Sequence, residues 1–293
     1  MSAGALPGFR DFYPAELAER AHIMRAWRRL APRFARVEYD GPPLEPLDLY
    51  TRKSGEEIVG QLYNFTDKGD RAVALRPEMT PTFARMVAAK ANALRKPVRW
   101  FSTPQLFRYE RQQKGRLREH FQLNVDIVGE PDVAADAELL ALAIDVMREV
   151  GLTASDVRAR VSDRRLIGAL LAHFEIAEKD HPLVYAVLDK LDREPRAALE
   201  KRLADGGVAP HAVRSLFEAV GSKSLDELRT RLGGVRALDG HFETMTRYFE
   251  LLRALGVDDW VRLDLSVVRG LAYYTGIVFE LFDTAGEFRA ICG

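Results

Sequence analysis

The sequence predicts an α+β fold, an antiparallel sheet flanked by helices and interrupted by a helical insertion. Short strand-like pieces rich in β-branched and aromatic residues fill the first half of the chain and return after about residue 258. Between about 164 and 255, leucines and alanines recur at helical spacing instead. The regular alternation of strand and helix that builds a doubly wound parallel sheet is absent.

The N-terminal LPGFRDFY is extended. Pro14, suited to a first helical turn, opens AELAERAHIMRAWRRLAPRF, in which Leu17, Ile23, Met24, Trp27 and Leu30 recur at roughly helical spacing. One long amphipathic helix is expected there. From 37 to 75, Pro42, Pro43 and Pro46 break the chain into short pieces, and LYNFTD and RAVALRP flank a turn at Lys68 to Asp70, which predicts a hairpin. Residues 80 to 95 are helical in pattern. KPVRWFSTPQLFRYE and HFQLNVDIVGE are strand-like, separated by a charged run. DVAADAELLALAIDVMREVGL predicts a helix that Asp132 can cap and Gly151 can end. Strand-like VRARVSD then gives way to the helical stretch, after which WVRLDLSVVRGLAYYTGIVFELFD restores strand character and EFRAICG begins another strand. The expected division is 1–160, a helical insertion at 161–257, and a continuation of the sheet domain at 258–293.

Equal numbers of acidic and basic residues, 43 each, argue against non-specific adhesion to nucleic acid by the whole chain, although a local basic patch can still meet a phosphate. No apolar run approaches a membrane span, and the N-terminus lacks the order of a secretory signal, so a cytoplasmic protein without membrane contact is expected. Cys292 is the single cysteine and the six histidines are scattered without metal-ligand spacing. No protein-held metal is expected, and these side chains read as surface or structural.

The charged run carries Arg111, Lys114, Arg116 and Arg118, with Arg108 and Glu110 on the strand leading in. Two readings stand: a solvated tip whose charges pair with one another, or a trap for an anion held by planar arginine forks. Alternation places Gln122, Asn124 and Asp126 on one side of the return strand, with Phe121, Leu123, Val125 and Ile127 on a core-facing side. That polar side meets either water or a ligand. In VVRGLAYYTG, Arg269 stands beside Gly270 and near Tyr273 and Tyr274, which suits a carboxylate or phosphate ligand as well as a structural acid. Glu78 in LRPEMT follows Pro77 and either points inward or begins a helix near its positive end. Neither GxGxxG nor GxxxxGK[ST] occurs, so a bound nucleotide would have to be held by arginines and a sheet face.

Taken in order, these pieces resemble the catalytic core of the class II aminoacyl-tRNA synthetases, and within them the histidyl-tRNA synthetase family. PGFRDFYP and its helix are similar to the start of that family's first motif, which forms a dimer interface. LRPEMT resembles LRPEGT, and FRYERQQKGRLREHFQ resembles the second motif, FRxERPQKGRxRxFxQ. VVRGLAYYTG resembles the signature RGLDYYTG, and AICG resembles the run into the third motif. SDRRLIGALL and VLDKLD match the family's insertion. The likeness spans nearly all of the sequence.

The resemblance implies a homodimer that uses ATP with Mg2+ to activate L-histidine as histidyl-adenylate and then charges tRNA(His). It also implies roles for single residues. Arg108 would bind the α-phosphate and Arg116 the terminal phosphates, with Glu110 also at the ATP, while Arg269 would be the catalytic cation. Glu78, Gln122 and Asp126 would take the substrate ammonium, with Thr80 nearby, and Tyr273 and Tyr274 would read the imidazole edge. The family's usual residues at 79, 126 and 272 are glycine, glutamate and aspartate, whereas Met79, Asp126 and Ala272 stand here. The third motif stops after its first glycine and no anticodon domain follows, so the expectation for this chain as it stands is poor substrate binding and little aminoacylation. The alternative is a synthetase-like regulatory subunit of the ATP phosphoribosyltransferase of histidine biosynthesis. Such subunits generally lose second-motif arginines, and Arg108, Arg111 and Arg116 are all present.

Overall fold

Pro14 occupies the first turn of helix α1 (Pro14–Leu30) in the computed structural model, which describes residues 4–52, 60–109, 117–268, 274–286 and 290–293. Glu16 near its start and Arg28 and Arg29 near its end complement the helix dipole. The helix stops at Leu30 rather than running to Phe34. Pro32 cannot donate back into the helix, and Ala35 turns left-handed at φ 53°, so Ala31–Phe34 closes as a 3₁₀ turn. Of the expected apolar stripe, Leu30 is buried and Met24 and Trp27 are half-buried, whereas Leu17 and Ile23 remain 42% and 43% exposed.

The described chain falls into two compact units, Met1–Pro131 and Asp132–Gly293. In the first, β1 (Val37–Glu38) pairs parallel with β5 (Val98–Ser102), and β5 pairs antiparallel with β8 (Asn124–Val128). A second sheet joins β2 (Leu44–Pro46), β4 (Ala72–Leu75) and β3 (Asn64–Thr66) in that order. The expected hairpin is β3–β4. Asp67 closes it, its Oδ1 accepting from the backbone N–H groups of Gly69 and Arg71 at 2.8 and 3.0 Å. Short α2 (Asp48–Thr51) and then α3 (Thr80–Ala89) follow β2 and β4 respectively, α3 ending earlier than the pattern to 95 suggests.

β6 (Gln105–Phe107) and β7 (Glu119–Phe121) pair antiparallel, as the strands around the charged run are expected to do. The return strand is not continuous, however. It divides into β7 and β8 at Gln122–Leu123, where the Gln122 N–H donates to the Pro104 carbonyl at 3.2 Å and β8 joins a different sheet. All five β8 residues are half-buried, so the core-facing row expected from alternation does not form. β5 supplies the core instead through Val98 and Phe101, 3% and 2% exposed. Phe101→Ala is expected to cost about 3–5 kcal/mol, read as a lower denaturation midpoint, because the ring leaves a cavity in a close-packed sheet face.

The second unit opens on α4 (Ala134–Glu149). Val133, not the expected Asp132, is its N-cap and makes no side-chain cap bond; Asp132 Oδ1 accepts from the Ala134 N–H at 2.8 Å from one residue further out, and Gly151 takes a positive φ of 88° beyond the helix's end, as the sequence predicts. β9 (Val157–Asp163) lies between parallel β10 (Val261–Leu263) and antiparallel β11 (Ile277–Asp283). The helical stretch between β9 and β10 comprises α5 (Arg164–His173), α6 (His181–Leu188), α7 (Arg196–Asp205), α8 (Pro210–Val220), α9 (Leu225–Leu232) and α10 (Asp239–Ala254). Leu166, Ile167, Leu170, Leu199, Leu216 and Leu228 are each fully buried, which accounts for the leucine periodicity. Among the described residues, the last segment meets β11 at an antiparallel bridge, Leu281 to Cys292.

Candidate active site

Within the first unit, the turn from β4 into α3 carries Arg76, Pro77, Glu78, Met79 and Thr80. Arg76 anchors it. This arginine is 4% exposed, and its Nε donates to the Gln105 carbonyl at 3.1 Å while Nη1 donates to Asp40 Oδ1 at 2.7 Å and the Gly41 carbonyl at 2.8 Å. A buried guanidinium with this many acceptors fixes the backbone on either side. Met79, where the family carries glycine, is fully buried, with Sδ 3.7 Å from Arg76 Nη1. Its bulk is absorbed by the interior.

Arg108 follows β6, half-buried, with its backbone N–H donating to the Arg118 carbonyl at 2.9 Å. Its Nε donates to the Pro77 carbonyl at 3.0 Å. One arginine thus joins the strand that leads into the charged run to the peptide before Glu78, itself 9% exposed. Arg118, on the returning side, lies over the Tyr109 ring at 4.1 Å and donates its backbone N–H to the Gly8 carbonyl at 2.9 Å.

On β8, Asn124 Nδ2 donates to Asp126 Oδ2, so the two side chains share one side as alternation requires. Register sets Asp126 opposite Trp100 and Asn124 opposite Ser102. Tyr39 packs its ring on Trp100 and Phe83, centroids 5.4 Å away in each case. Burial pushes the Asp126 carboxyl up to about 7, opposed by polar interactions with Tyr39 and Asn124. Burial first and then the Asp126 charge raise the Tyr39 phenol as well. Its hydroxyl is enclosed beside Asp126 and Asn124 but aligned for a good hydrogen bond with neither.

The contacts therefore bring Arg108 to the Pro77–Glu78 peptide, and Asp126 to Asn124 and Tyr39. Thr80 and Gln122 are exposed, Thr80 as the first residue of α3 and Gln122 at the break between β7 and β8. Tyr274, in the second unit, is half-buried before β11. Glu110, Arg111, Lys114, Arg116, Arg269, Tyr273 and Ala272 lie outside the described residues. Arg76 and Tyr39 are supporting residues that the sequence reading passes over. An arginine directly before a proline is the one local signal for Arg76 in the sequence, and Tyr39 has none. Among the described residues no group of three His, Cys, Asp or Glu side chains could hold a metal ion, and no helix is long and apolar enough to cross a membrane.

The family described as Histidyl-tRNA synthetase matches residues 8–291. The chain is 45% identical to a histidine--tRNA ligase of Opitutus terrae over 99% of its own length and 67% of that relative's. It is 41% identical to a chloroplastic/mitochondrial histidine--tRNA ligase of Arabidopsis thaliana, covering 98% of itself and 58% of that relative. The chain thus spans about three fifths to two thirds of these curated relatives. Its fold is similar to the crystal structure of a histidyl-tRNA synthetase from Nostoc, with a TM-score of 0.83 at 21% identity, over 96% of this chain and 65% of that one. A Bacillus halodurans structure described as an ATP phosphoribosyltransferase regulatory subunit/histidyl-tRNA synthetase gives a TM-score of 0.85 at 20% identity, over 98% and 74%. These structures bear out the α+β fold class.

Proposed function

The chain belongs to the histidyl-tRNA synthetase family, and from that premise we propose that it carries the catalytic core which activates L-histidine with ATP and passes it to tRNA(His). The histidine carboxylate attacks the α-phosphorus in line and pyrophosphate leaves; a terminal ribose hydroxyl then takes the histidyl group from the adenylate, breaking its bond to phosphate and releasing AMP. Negative charge grows on the phosphoryl oxygens, so fixed cations aimed at them lower the barrier. Arg108 is assigned to the α-phosphate, Arg116 with Glu110 to the rest of the ATP, and Arg269 to the reacting carboxylate and phosphate. Glu78, Gln122 and Asp126, with Thr80, are assigned to the ammonium group, and Tyr273 and Tyr274 to the imidazole. Mg2+ would arrive on the phosphates and supply further charge neutralisation.

The observation that supports this reading best is the Arg108 to Pro77 hydrogen bond, because it couples a phosphate-binding cation to the turn that carries the ammonium-binding Glu78. The regulatory-subunit reading is weaker: the curated relatives named above are ligases. We also infer a homodimer through the incompletely covered stripe of α1, where Leu17 and Ile23 are exposed, and a cytoplasmic location. The proposed domain organisation is a core at 1–160, continued at 258–293, with a helical insertion at 161–257.

ATP–pyrophosphate exchange in the natural gene product, offered each amino acid in turn, tests the assignment. Exchange that requires histidine is expected. Exchange without histidine, or none with any amino acid, would sink it.

A further inference from the structure

Resting on the functional reading above, we propose that Arg164 is a positioning residue for the histidine signature, tying Val268, which precedes it, and Gly276, its last residue, to the first turn of α5. β9 ends where this happens. Its Val161 stands opposite Leu263 of β10 and its Asp163 opposite Ile277 of β11, so the chain leaves β10 and re-enters β11 beside the same strand. Arg164 is the next residue, and it holds both flanks through different groups.

Its Nη1 donates to the Val268 carbonyl at 2.7 Å, and its backbone N–H donates to the Gly276 carbonyl at 3.0 Å. Val268 is 1% exposed, so the guanidinium serves a carbonyl inside the unit. The guanidinium is itself steadied over the Tyr185 ring of α6 at 4.3 Å. Neighbouring side chains fix the helix end that carries these donors. Asp163 Oδ1 accepts from the Arg165 N–H at 2.7 Å, capping α5, and Asp163 Oδ2 pairs with Arg165 Nη2 at 3.1 Å. A Cβ at Gly276 would stand 3.5 Å from that same Nη2, so the re-entry point also lies against Arg165.

Val268 and Gly276 bracket Arg269, Tyr273 and Tyr274 in sequence. Arg164 thus holds Val268 and Gly276, one on each side of that stretch of sequence, from the start of a single helix. Precision of this kind matters, because a misplacement of about 1 Å in a reacting group can cost about a hundredfold in rate.

Arg164→Ala tests the tie, since it keeps the backbone donor to Gly276 and the Asp163 cap while removing the guanidinium, with its donor to Val268 and its contact with the Tyr185 ring. The expected result is a kcat for histidine-dependent ATP–pyrophosphate exchange lower by about tenfold or more, with KM for ATP changed by less than about twofold. Amide hydrogen exchange should quicken across 266–276 while α5 and the melting temperature hold. Arg164→Lys, which can return one donor to the carbonyl, should recover part of the rate. Unchanged kcat overturns the proposal even where amide exchange quickens, because the tie would then be structural only. Should the wild-type protein show no histidine-dependent exchange, the functional reading fails on its own. The amide measurement still decides whether Arg164 holds the two flanks, and unchanged rates there overturn the proposal.

Discussion

Arg108→Ala is expected to lower histidine-dependent ATP–pyrophosphate exchange by about a hundred- to a thousandfold, the loss that follows removal of one preorganised donor at a developing oxyanion. Two consequences are combined in this change. The charge assigned to the α-phosphate disappears, and the Pro77 carbonyl loses the Nε donor that joins it to β6 at 3.0 Å. Because Glu78 is the next residue, KM for histidine should rise along with the fall in kcat. Arg108→Lys should rescue little, since a single ammonium cannot serve the Pro77 carbonyl and a phosphate oxygen in the fixed plane of a guanidinium. Folding should survive, as one lost hydrogen bond at a half-buried site costs about 1 kcal/mol. Steady-state kinetics with a parallel denaturation curve separate the two effects. A rate within about threefold of wild type would remove Arg108 from the proposed phosphate site, given the size of the donor effect expected there.

The parts of this fold that were legible are those decided by residues close together in sequence. Pro14 opens α1, Asp67 closes the β3–β4 turn and Gly151 turns left-handed just past α4, each decided within a few residues. The break in the return strand was illegible because a non-local bond makes it: Gln122 donates to Pro104, and β8 finds its partner in β5. No alternation of side chains announces a change of sheet. The site divides in the same way. Asn124 and Asp126 share a side, as strand geometry requires over two residues. Arg76 depends on Asp40, Gly41 and Gln105, and Tyr39 on Phe83, Trp100 and Asp126, which only the folded chain assembles. The polar face was thus readable as a face, and its supports were not.

Asp126 makes the sharpest pH-dependent case, because its carboxyl is pushed from an ordinary 3.8 up to about 7, chiefly by burial. Between those values the folded chain holds a proton that the unfolded chain has released. The contribution of Asp126 to stability is therefore most favourable below about pH 4 and declines as pH rises through about 7, by an amount on the order of 4 kcal/mol. Asp126→Asn should remove that slope, matching wild type near pH 4 and exceeding it in stability near pH 8. Histidine binding reverses the advantage. An ammonium group beside Asp126 favours the ionised carboxylate, so binding near pH 6 should expel a proton, and affinity for histidine should climb as pH approaches 7. The free imidazole of the substrate also titrates near 6.5, but it does so for wild type and variant alike, so their difference isolates Asp126. In the variant, KM for histidine should rise about ten- to a hundredfold, the worth of a charge-assisted hydrogen bond, and the climb with pH should flatten. Calorimetry in two buffers of different ionisation enthalpy counts the released proton directly. If wild type and Asp126→Asn bind histidine with the same affinity and release the same proton, Asp126 is a buried structural acid and the ammonium site lies elsewhere.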